Sequence, residues 1–157
     1  MQIKKVFKRL AFYGLFLIAF IGRAVSHTLY MCILQKAYEL NGVIFHGKAS
    51  YIHYDAYIDN VGKVELGNMV TISVKAIILA HDYSHQVKIL KSGGGKIEGH
   101  FSSVIVKDNV FIGAGAILLP GTIIGENSII GAGAVVKGEI PPCSVVIGNP
   151  GKIIKTI

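Results

Sequence analysis

Residues 106–141 read VKDNVF IGAGAI LLPGTI IGENSI IGAGAV VKGEIP, six blocks in one register. An aliphatic residue returns every six positions, at Val106, Ile112, Leu118, Ile124, Ile130 and Val136. Four positions after each comes a mostly small or β-branched residue. A six-residue period fits neither an α-helix nor a simple hairpin sheet. It predicts short strands separated by turns, wound as a three-sided column in which both repeated positions point inward.

The same period extends upstream of this stretch. Leu66, Ile72 and Ile78 open three more hexads, and His46, Ile52 and Ile58 continue the phase after a two-residue slip at residues 61–63. At three hexads per turn the chain makes about four coils, stacked at the strand spacing of about 4.8 Å. Residues 83–103 break the pattern and contain three successive glycines. We interpret them as a loop excursion, the kind of segment that often carries function.

The repeats resemble those of the hexapeptide-repeat acyltransferases. Two further segments are similar to the sugar and polysaccharide O-acetyltransferase branch of that family, namely ILAHDYSH at 78–85 and the ending IIGAGAVVKGEIPPCSVVIGNPGKIIK. The resemblance covers roughly residues 43–157. It implies an all-β solenoid, a left-handed parallel β-helix, although parallel crossovers are usually right-handed. We therefore expect a β-helix domain at 43–157 and an N-terminal helical segment at 1–42.

The resemblance implies that His81 is the catalytic base. Transfer of an acetyl group from a thioester to a hydroxyl needs a base for the acceptor's proton, and histidine suits this role near neutral pH. The sequence leaves open what orients the imidazole. Asp82 is adjacent, but neighbouring side chains on an extended segment point to opposite faces. A backbone carbonyl or a carboxylate from elsewhere in the chain could serve equally.

Candidate residues for the acceptor are less clearly marked. Relatives of this type often carry an asparagine where the chain reads His53-Tyr54-Asp55, so the resemblance makes His53 and Asp55 candidates for substrate contact. Turn residues on a solvent-facing corner are the alternative. His85 and His100 lie in the excursion, where they are either solvated or, for His100 in particular, in contact with the acceptor.

The donor implied by the resemblance is acetyl-CoA, held between two subunits. The family motif places its pantetheine arm against the backbone at Ala114 and Ala132. It places basic residues at Lys152 and Lys155 near the phosphates, for which lysine is a good point-charge partner. The alternatives are ordinary repeat residues and a solvated tail. The resemblance also implies a homotrimer.

The net charge of +7 is concentrated at the N-terminus. Five basic residues and no acidic ones precede residue 24, and they flank the uncharged run LAFYGLFLIAFIG at 10–22. Without a dense basic patch on the repeats, we expect no nucleic-acid partner. The run is shorter than a membrane span. Three interpretations remain open: a helix of residues 1–34 at the membrane surface, a helical hairpin packed on the protein's own oligomer, and a signal peptide ending near Ala24-Val25-Ser26.

The resemblance implies an acetyl-CoA-dependent O-acetyltransferase. The acceptor would be a sugar hydroxyl of a cell-surface polysaccharide or glycolipid precursor, at the inner face of the cytoplasmic membrane. An amino-sugar N-acetyltransferase and a non-catalytic scaffold are the alternatives. We expect no metal, since Cys32 and Cys143 lack ligand spacing. His81 and His85 also lack the HxxxxH spacing of γ-class carbonic anhydrases, which share the scaffold.

Overall fold

The fold is known from a computed structural model that describes residues 2–24 and 26–157. Two helices come first, α1 (Gln2–Gly22) and α2 (His27–Leu40). The candidate signal-peptide cleavage motif includes Val25, which lies outside the described residues. Among the residues described, no helix is both long and apolar enough to cross a bilayer.

The hexads form short strands that wind through three sheets in turn. As far as β14, successive triplets outside the excursion have one strand in each sheet. They are β1 (Ile44–Phe45), β2 (Tyr51–Ile52) and β3 (Tyr57–Ile58); β4 (Val64–Leu66), β5 (Thr71–Ile72) and β6 (Ile77–Ile78). Strand β7 (His81–Asp82) leads into the excursion, which contains α3 (Gln86–Lys91) and β8 (His100–Phe101). After it come β9 (Val104–Val106), β10 (Phe111–Ile112) and β11 (Ile117–Leu118). The last are β12 (Ile123–Ile124), β13 (Ile129–Ile130), β14 (Val135–Val136), β15 (Glu139–Ile140), β16 (Ser144–Ile147) and β17 (Lys152–Thr156).

We call the sheets first, second and third in the order in which the chain visits them. The first contains β1, β4, β9, β12 and β15, the second β2, β5, β10, β13, β16 and β17, and the third β3, β6, β11 and β14. Neighbouring strands are parallel and in register, so that Ile78 pairs with Ile58 and Leu118 with Ile78. Only the terminal β17 runs antiparallel among the described strands of these three sheets.

Two edges of the column flank the third sheet, and both matter for the site. The second–third edge is formed by turns that lead into third-sheet strands, at 53–56, 73–76, 113–116 and 131–134. The third–first edge is formed by turns that leave those strands, at 59–63, 119–122 and 137–138, together with the excursion. Because the strands are parallel, these edges lie at opposite ends of every strand in the sheet.

The interior consists of the two repeated positions of each hexad, as the period predicts. The aliphatic positions from Leu66 to Val136 are almost fully buried. Apart from Asp82 at the entry to the excursion, so are the positions four residues later, including Thr122 and Ser128, whose hydroxyls hydrogen-bond to backbone carbonyls. Each coil buries its apolar surface against its neighbours, so stability accumulates along the stack.

The first coil departs from the predicted phase. The sequence pattern placed His46 at an inward position, but Phe45 pairs with Leu66 and takes that place. His46 is exposed and its Nε2 lies 2.7 Å from the Glu65 carboxylate. The chain enters the column directly from α2, so the first inward residue comes one position early and the prediction for His46 was wrong.

The helical segment covers the open end of the first coil. Tyr30 and Tyr38 of α2 are buried and donate their hydroxyl protons to the carbonyls of Ile52 (2.8 Å) and Ala56 (3.1 Å). Burial raises the pKa of Tyr30 to about 12 and raises that of Tyr38 as well, so both hydroxyls remain donors. Helix α1 packs on α2 through Phe12 and Phe16, whose rings meet Tyr38, and its end meets the first coil where Phe20 lies edge-on to Tyr54.

Candidate active site

His81 lies where the chain leaves the third sheet and enters the excursion. It belongs to β7, which pairs with β8 so that His81 faces Phe101 across a short antiparallel ladder. Its ring lies between Phe101, stacked at 6.0 Å between centroids, and Tyr83, edge-on at 5.9 Å. The side chain is 22% exposed. The imidazole is therefore held by its neighbours while part of it reaches solvent.

A buried carboxylate, Asp59, holds the inner nitrogen of this ring. Its Oδ2 lies 2.5 Å from His81 Nδ1 and also accepts the backbone N–H of Ala80 at 2.8 Å. Its Oδ1 accepts the backbone N–H of Val61 at 2.8 Å. The Asp59 side chain has no exposed surface. Asp59 therefore orients His81, which answers the question that the sequence left open.

The charge state of Asp59 decides which nitrogen of His81 carries the proton. Burial acts to raise the pKa of Asp59, but the N–H of Val61, the His81 ring and the N–H of Ala80 outweigh it and hold the pKa below its usual value. The carboxylate is ionised at neutral pH and can only accept hydrogen bonds. Nδ1 is consequently the donor, and Nε2 carries the lone pair that a general base needs.

The two-residue slip in the repeat builds this pair. Residues 59–63 form a longer turn between β3 and β4, and Asp59 begins it with its N–H bonded to the carbonyl of Ile78 at 2.9 Å. Gly62 in the same turn passes so close to Ala80 that a Cβ there would lie 2.5 Å from the Ala80 side chain and nearer still to its carbonyl oxygen. A glycine is required at this close approach.

Sequence reasoning missed Asp59, although a signal was present. An acidic residue directly follows an inward aliphatic position, Ile58, at the only slip in the phase between 52 and 78. Irregularities in a regular repeat are where chemistry tends to be placed. The slip was noted, but the partner of a histidine 22 residues away could not be deduced from it.

The predicted donor-binding residues lie along the second–third edge. Ala114 and Ala132 are exposed and stack on successive coils, with the N–H of Gly133 bonded to the carbonyl of Ala114 at 2.9 Å. The following glycines, Gly115 and Gly133, have φ of +66° and +67°, and a Cβ on either would meet no atom within 4 Å. Small side chains over open space leave this part of the backbone accessible to a long, narrow ligand.

Lys152 lies close to the same edge, and Lys155 lies further along the second sheet. Strand β17 folds back on β16, which places Lys152 opposite Ile147 and Lys155 opposite Val145. The turn before Lys152 is tied to the edge because the N–H of Gly151 donates to the carbonyl of Val135 at 2.7 Å. Both lysines are exposed. Ala114, Ala132 and Lys152 thus form one continuous exposed strip.

His53 and Asp55 occupy the first turn of the second–third edge. The Nδ1 atom of His53 accepts the N–H of Asp55 at 3.1 Å, and the His53 ring lies 4.4 Å from that of Tyr54. Asp55 is exposed and His53 is half-buried. They therefore share an edge with the predicted donor residues, and within one chain they are separated from His81 by the third sheet.

His100 lies on the opposite face of the β7–β8 ladder from His81. It pairs with Asp82, and its ring stacks on that of His85 with 5.6 Å between centroids. Successive side chains of a strand alternate faces, so His81 and Phe101 share one face while Asp82 and His100 share the other. In this conformation the structure does not bring His100 to the His81–Asp59 pair.

A groove of about 500 Å³ lies beside the third–first edge at the end covered by the helices. It separates α1 from β3 and is lined mainly by aromatic and amide side chains, with Arg9 at its rim. Asn60, which follows Asp59, forms part of the wall and donates to the side chain of Asn41 at 3.0 Å. The groove thus reaches the turn that carries Asp59.

The repeats match a known family. A profile of the bacterial transferase hexapeptide family, with six repeats, covers residues 103–138. Residues 103–138 of the chain therefore carry the repeat of the hexapeptide-repeat transferases. Its repeats and its structural neighbours identify the parallel column as a left-handed β-helix.

Relatives of this hexapeptide-repeat chain are acetyltransferases. WbbJ of Escherichia coli strain K12, provisionally named a lipopolysaccharide biosynthesis O-acetyl transferase, is 31% identical over 119 residues, which are 73% of this chain and 61% of WbbJ. The crystal structure of a maltose O-acetyltransferase from Clostridium difficile 630 is 28% identical with a TM-score of 0.76, covering 97% of this chain and 87% of that one.

A third relative bears on the donor. The N-acyltransferase AntD from Bacillus cereus, solved with dTDP and 3-hydroxybutyryl-CoA, is 26% identical with a TM-score of 0.56, covering 73% of this chain and 66% of that one. The chain spans 56% to 61% of the length of the curated relatives that match most of it. No cluster of three or more potential metal ligands occurs in residues 2–24 and 26–157.

Proposed function

We propose that the chain is an acetyl-CoA-dependent O-acetyltransferase that acts on a sugar hydroxyl of a cell-surface polysaccharide or glycolipid precursor. The observation that carries the proposal is the His81–Asp59 pair at the mouth of the excursion. Asp59 is buried and ionised, and it fixes the tautomer that leaves Nε2 of His81 free to accept a proton. This is the arrangement of an oriented general base.

The proposed chemistry is a direct transfer. Nε2 of His81 takes the proton of the acceptor hydroxyl as that oxygen attacks the acetyl carbonyl carbon. The carbon–oxygen bond forms, the carbon–sulfur bond breaks, and the proton held by His81 passes to the departing sulfur. Asp59 stabilises the imidazolium formed in between, because it is a fixed negative charge 2.5 Å from Nδ1.

Acetyl-CoA supplies the activated acetyl group, and the second–third edge fits its shape. The exposed strip of Ala114 and Ala132 has space for a narrow arm to lie against the backbone, and Lys152 and Lys155 give positive charge for phosphates. The relative that was solved with an acyl-CoA supports this class of donor.

A homotrimer is part of the proposal because one chain does not bring the two halves of the site together. His81 and Asp59 lie on the third–first edge, while Ala114 and Ala132 lie on the second–third edge, at the other end of the third-sheet strands. Three columns around a symmetry axis would set the third–first edge of each chain against the second–third edge of its neighbour. His53 and Asp55 would then face the neighbour's base.

The acceptor assignment is supported by the comparisons with WbbJ and the maltose enzyme, which are both named for O-acetyl transfer. The groove between α1 and β3 adds a cavity with aromatic walls next to the Asp59 turn, suited to stacking on sugar rings. An amino-sugar N-acetyltransferase is the second candidate, favoured by the likeness to AntD. We place the protein at the inner face of the cytoplasmic membrane.

The test is product identification. The full chain is incubated with isotopically labelled acetyl-CoA and a panel of free, nucleotide-linked and lipid-linked sugars, and labelled products are identified by mass. An alkali-labile acetyl ester is expected; an alkali-stable amide would select the N-acetyl alternative. Absence of both product and calorimetric acetyl-CoA binding would overturn the proposal and favour the scaffold.

The shared site has its own test. His81→Ala and Ala132→Glu each disable one edge, so each variant alone should be inactive. When the two are unfolded, mixed in equal amounts and refolded together, about a quarter of the sites in randomly assembled trimers combine two intact edges. Recovery of about a quarter of the wild-type activity is expected, whereas no recovery would show that the site lies within one chain.

A further inference from the structure

Helix α1 has an outer face that the rest of the chain leaves uncovered. Its inner face packs through Phe12, Phe16 and the fully buried Ala19. Large apolar side chains on the face away from these contacts are each between 53% and 69% exposed: Val6, Phe7, Leu10, Leu17, Ile18 and Ile21. Contiguous apolar surface on this scale marks an interaction site.

The charges around this face are of one sign. Lys8 and Arg9 are exposed near its start, and Arg23 follows its end with the guanidinium 5.2 Å above the Tyr54 ring. Between Leu10 and Gly22 there is no charged residue, and the first acidic residue of the sequence is Glu39. The Glu39 carboxylate is already bonded to Lys36 at 2.8 Å.

We propose that the outer face of α1 docks the protein on an anionic lipid bilayer, with the helix lying in the interface and not spanning it. Apolar side chains would enter the boundary between headgroups and acyl chains, and Lys8, Arg9 and Arg23 would contact lipid phosphates. The occupant is lipid and not a second copy, because a self-contact through this face would bring basic ends together without an acidic partner.

The position of α1 in the fold suits a planar partner. The helix packs on α2, which itself covers the end of the first coil through Tyr30 and Tyr38. If the columns assemble as parallel trimers, as the proposed function requires, three copies of α1 lie on the same end of the assembly and meet one plane together. The groove beside α1 then opens next to that plane, on the side of the Asp59 turn.

The experiment uses the full chain and lipid vesicles, without donor or acceptor, so it is independent of catalysis. Flotation with phosphatidylcholine vesicles is compared with flotation after addition of about a third phosphatidylglycerol. Wild-type protein is expected to float with the anionic vesicles only. The Lys8→Gln and Arg9→Gln variants each lose one charge and should bind these vesicles about fivefold less tightly than wild type.

Leu10→Glu combined with Leu17→Glu places two charges on the centre of the face, since residues seven apart share one side of a helix. This double variant should lose at least about tenfold in vesicle affinity. Val87→Glu in α3, a side chain 67% exposed, is the matched control and should bind like wild type. Wild-type protein that ignores anionic vesicles would overturn the proposal. A double variant that binds the vesicles as tightly as wild type would also overturn it. So would a double variant whose molar mass by light scattering is lower than that of wild type, because a second copy would then have covered the face.

Discussion

Asp59 and His81 are 22 residues apart in sequence, yet Oδ2 of Asp59 lies 2.5 Å from Nδ1 of His81. They meet because Ile58 and Ile78 occupy equivalent places in neighbouring coils, so the residues that follow them leave the third sheet at the same edge. The repeat thus sets the spacing, and the turn at 59–63 supplies the acid.

Removal of the proposed base should abolish most of the activity without weakening donor binding. We expect His81→Ala to lower kcat by roughly 10²–10⁴-fold, with the calorimetric Kd for acetyl-CoA unchanged, because the imidazole contacts the acceptor's proton. His46→Ala, an exposed histidine paired with Glu65 on another edge, is the control and should retain wild-type turnover. Equal turnover in the two variants would contradict the mechanism.

Asp59→Asn tests the orienting role separately. The amide keeps the shape but loses the charge that selects the tautomer, so we expect kcat to fall by up to about 10⁴-fold. The acid side of the pH–rate profile, where a general base becomes protonated, should also change. Because the buried backbone N–H groups lose part of their acceptor, unfolding should become easier by about 1–3 kcal/mol. Asp108→Asn is the matched control, since Asp108 also accepts a backbone N–H, that of Asn68 at 2.8 Å, but far from His81. If kcat falls equally in both variants, Asp59 is only structural.

The lowered pKa of Asp59 predicts a specific response to acid. Its stabilising contribution is fully present above the pKa of an unfolded aspartate, about 3.9, and is lost as pH falls through the lower pKa of the folded state. In urea titrations between about pH 2 and 6, the stability gap between wild type and Asp59→Asn should be constant at the upper end and shrink below about pH 4. A gap that does not change with pH would show that folding does not lower the pKa of this carboxyl, and a gap that widens as pH falls would show that folding raises it.

Gly62→Ala should disturb the same pair through the backbone. The new methyl group would meet Ala80, and the turn must move away from β6 and His81. We expect a loss of about 1–3 kcal/mol in stability together with reduced kcat. Gly14→Ala in α1, where a Cβ meets nothing within 4 Å, is the control and should be neutral or stabilising by up to about 1 kcal/mol. Normal activity and stability in Gly62→Ala would mean that the turn is free to shift.

Lys152→Gln tests the donor strip. Because Lys152 is exposed, its contact with a phosphate is screened by solvent, and we expect KM for acetyl-CoA to rise about two- to fivefold with kcat unchanged. The difference should diminish at high salt. Lys107→Gln, an exposed lysine at the edge between the first and second sheets, should leave KM as it is. An unchanged KM in Lys152→Gln would remove this residue from the donor site.

The repeating part of the fold could be predicted from the sequence because each hexad repeats the same local choice. Ile112 and Ala116 are buried for the same reason as their counterparts one coil away. The sequence-based prediction failed at positions whose placement depends on tertiary contacts and not on the six-residue period. His46 carried the right spacing, but the junction with α2 shifted the register by one residue. The Asp59–His81 contact depends on a longer turn, whose path no periodicity encodes.

The separation of the two edges has a consequence for how such columns can change. The base and its acid lie in neighbouring coils, whereas the alanine strip continues over later ones. A whole coil of eighteen residues added after β11 would therefore lengthen the strip by one strand spacing, about 4.8 Å, and leave the base untouched. The length of the strip that would hold the thioester's arm therefore changes only in steps of one coil. Selectivity for the length of the bound donor can evolve by duplication of a coil while the reactive centre stays as it is.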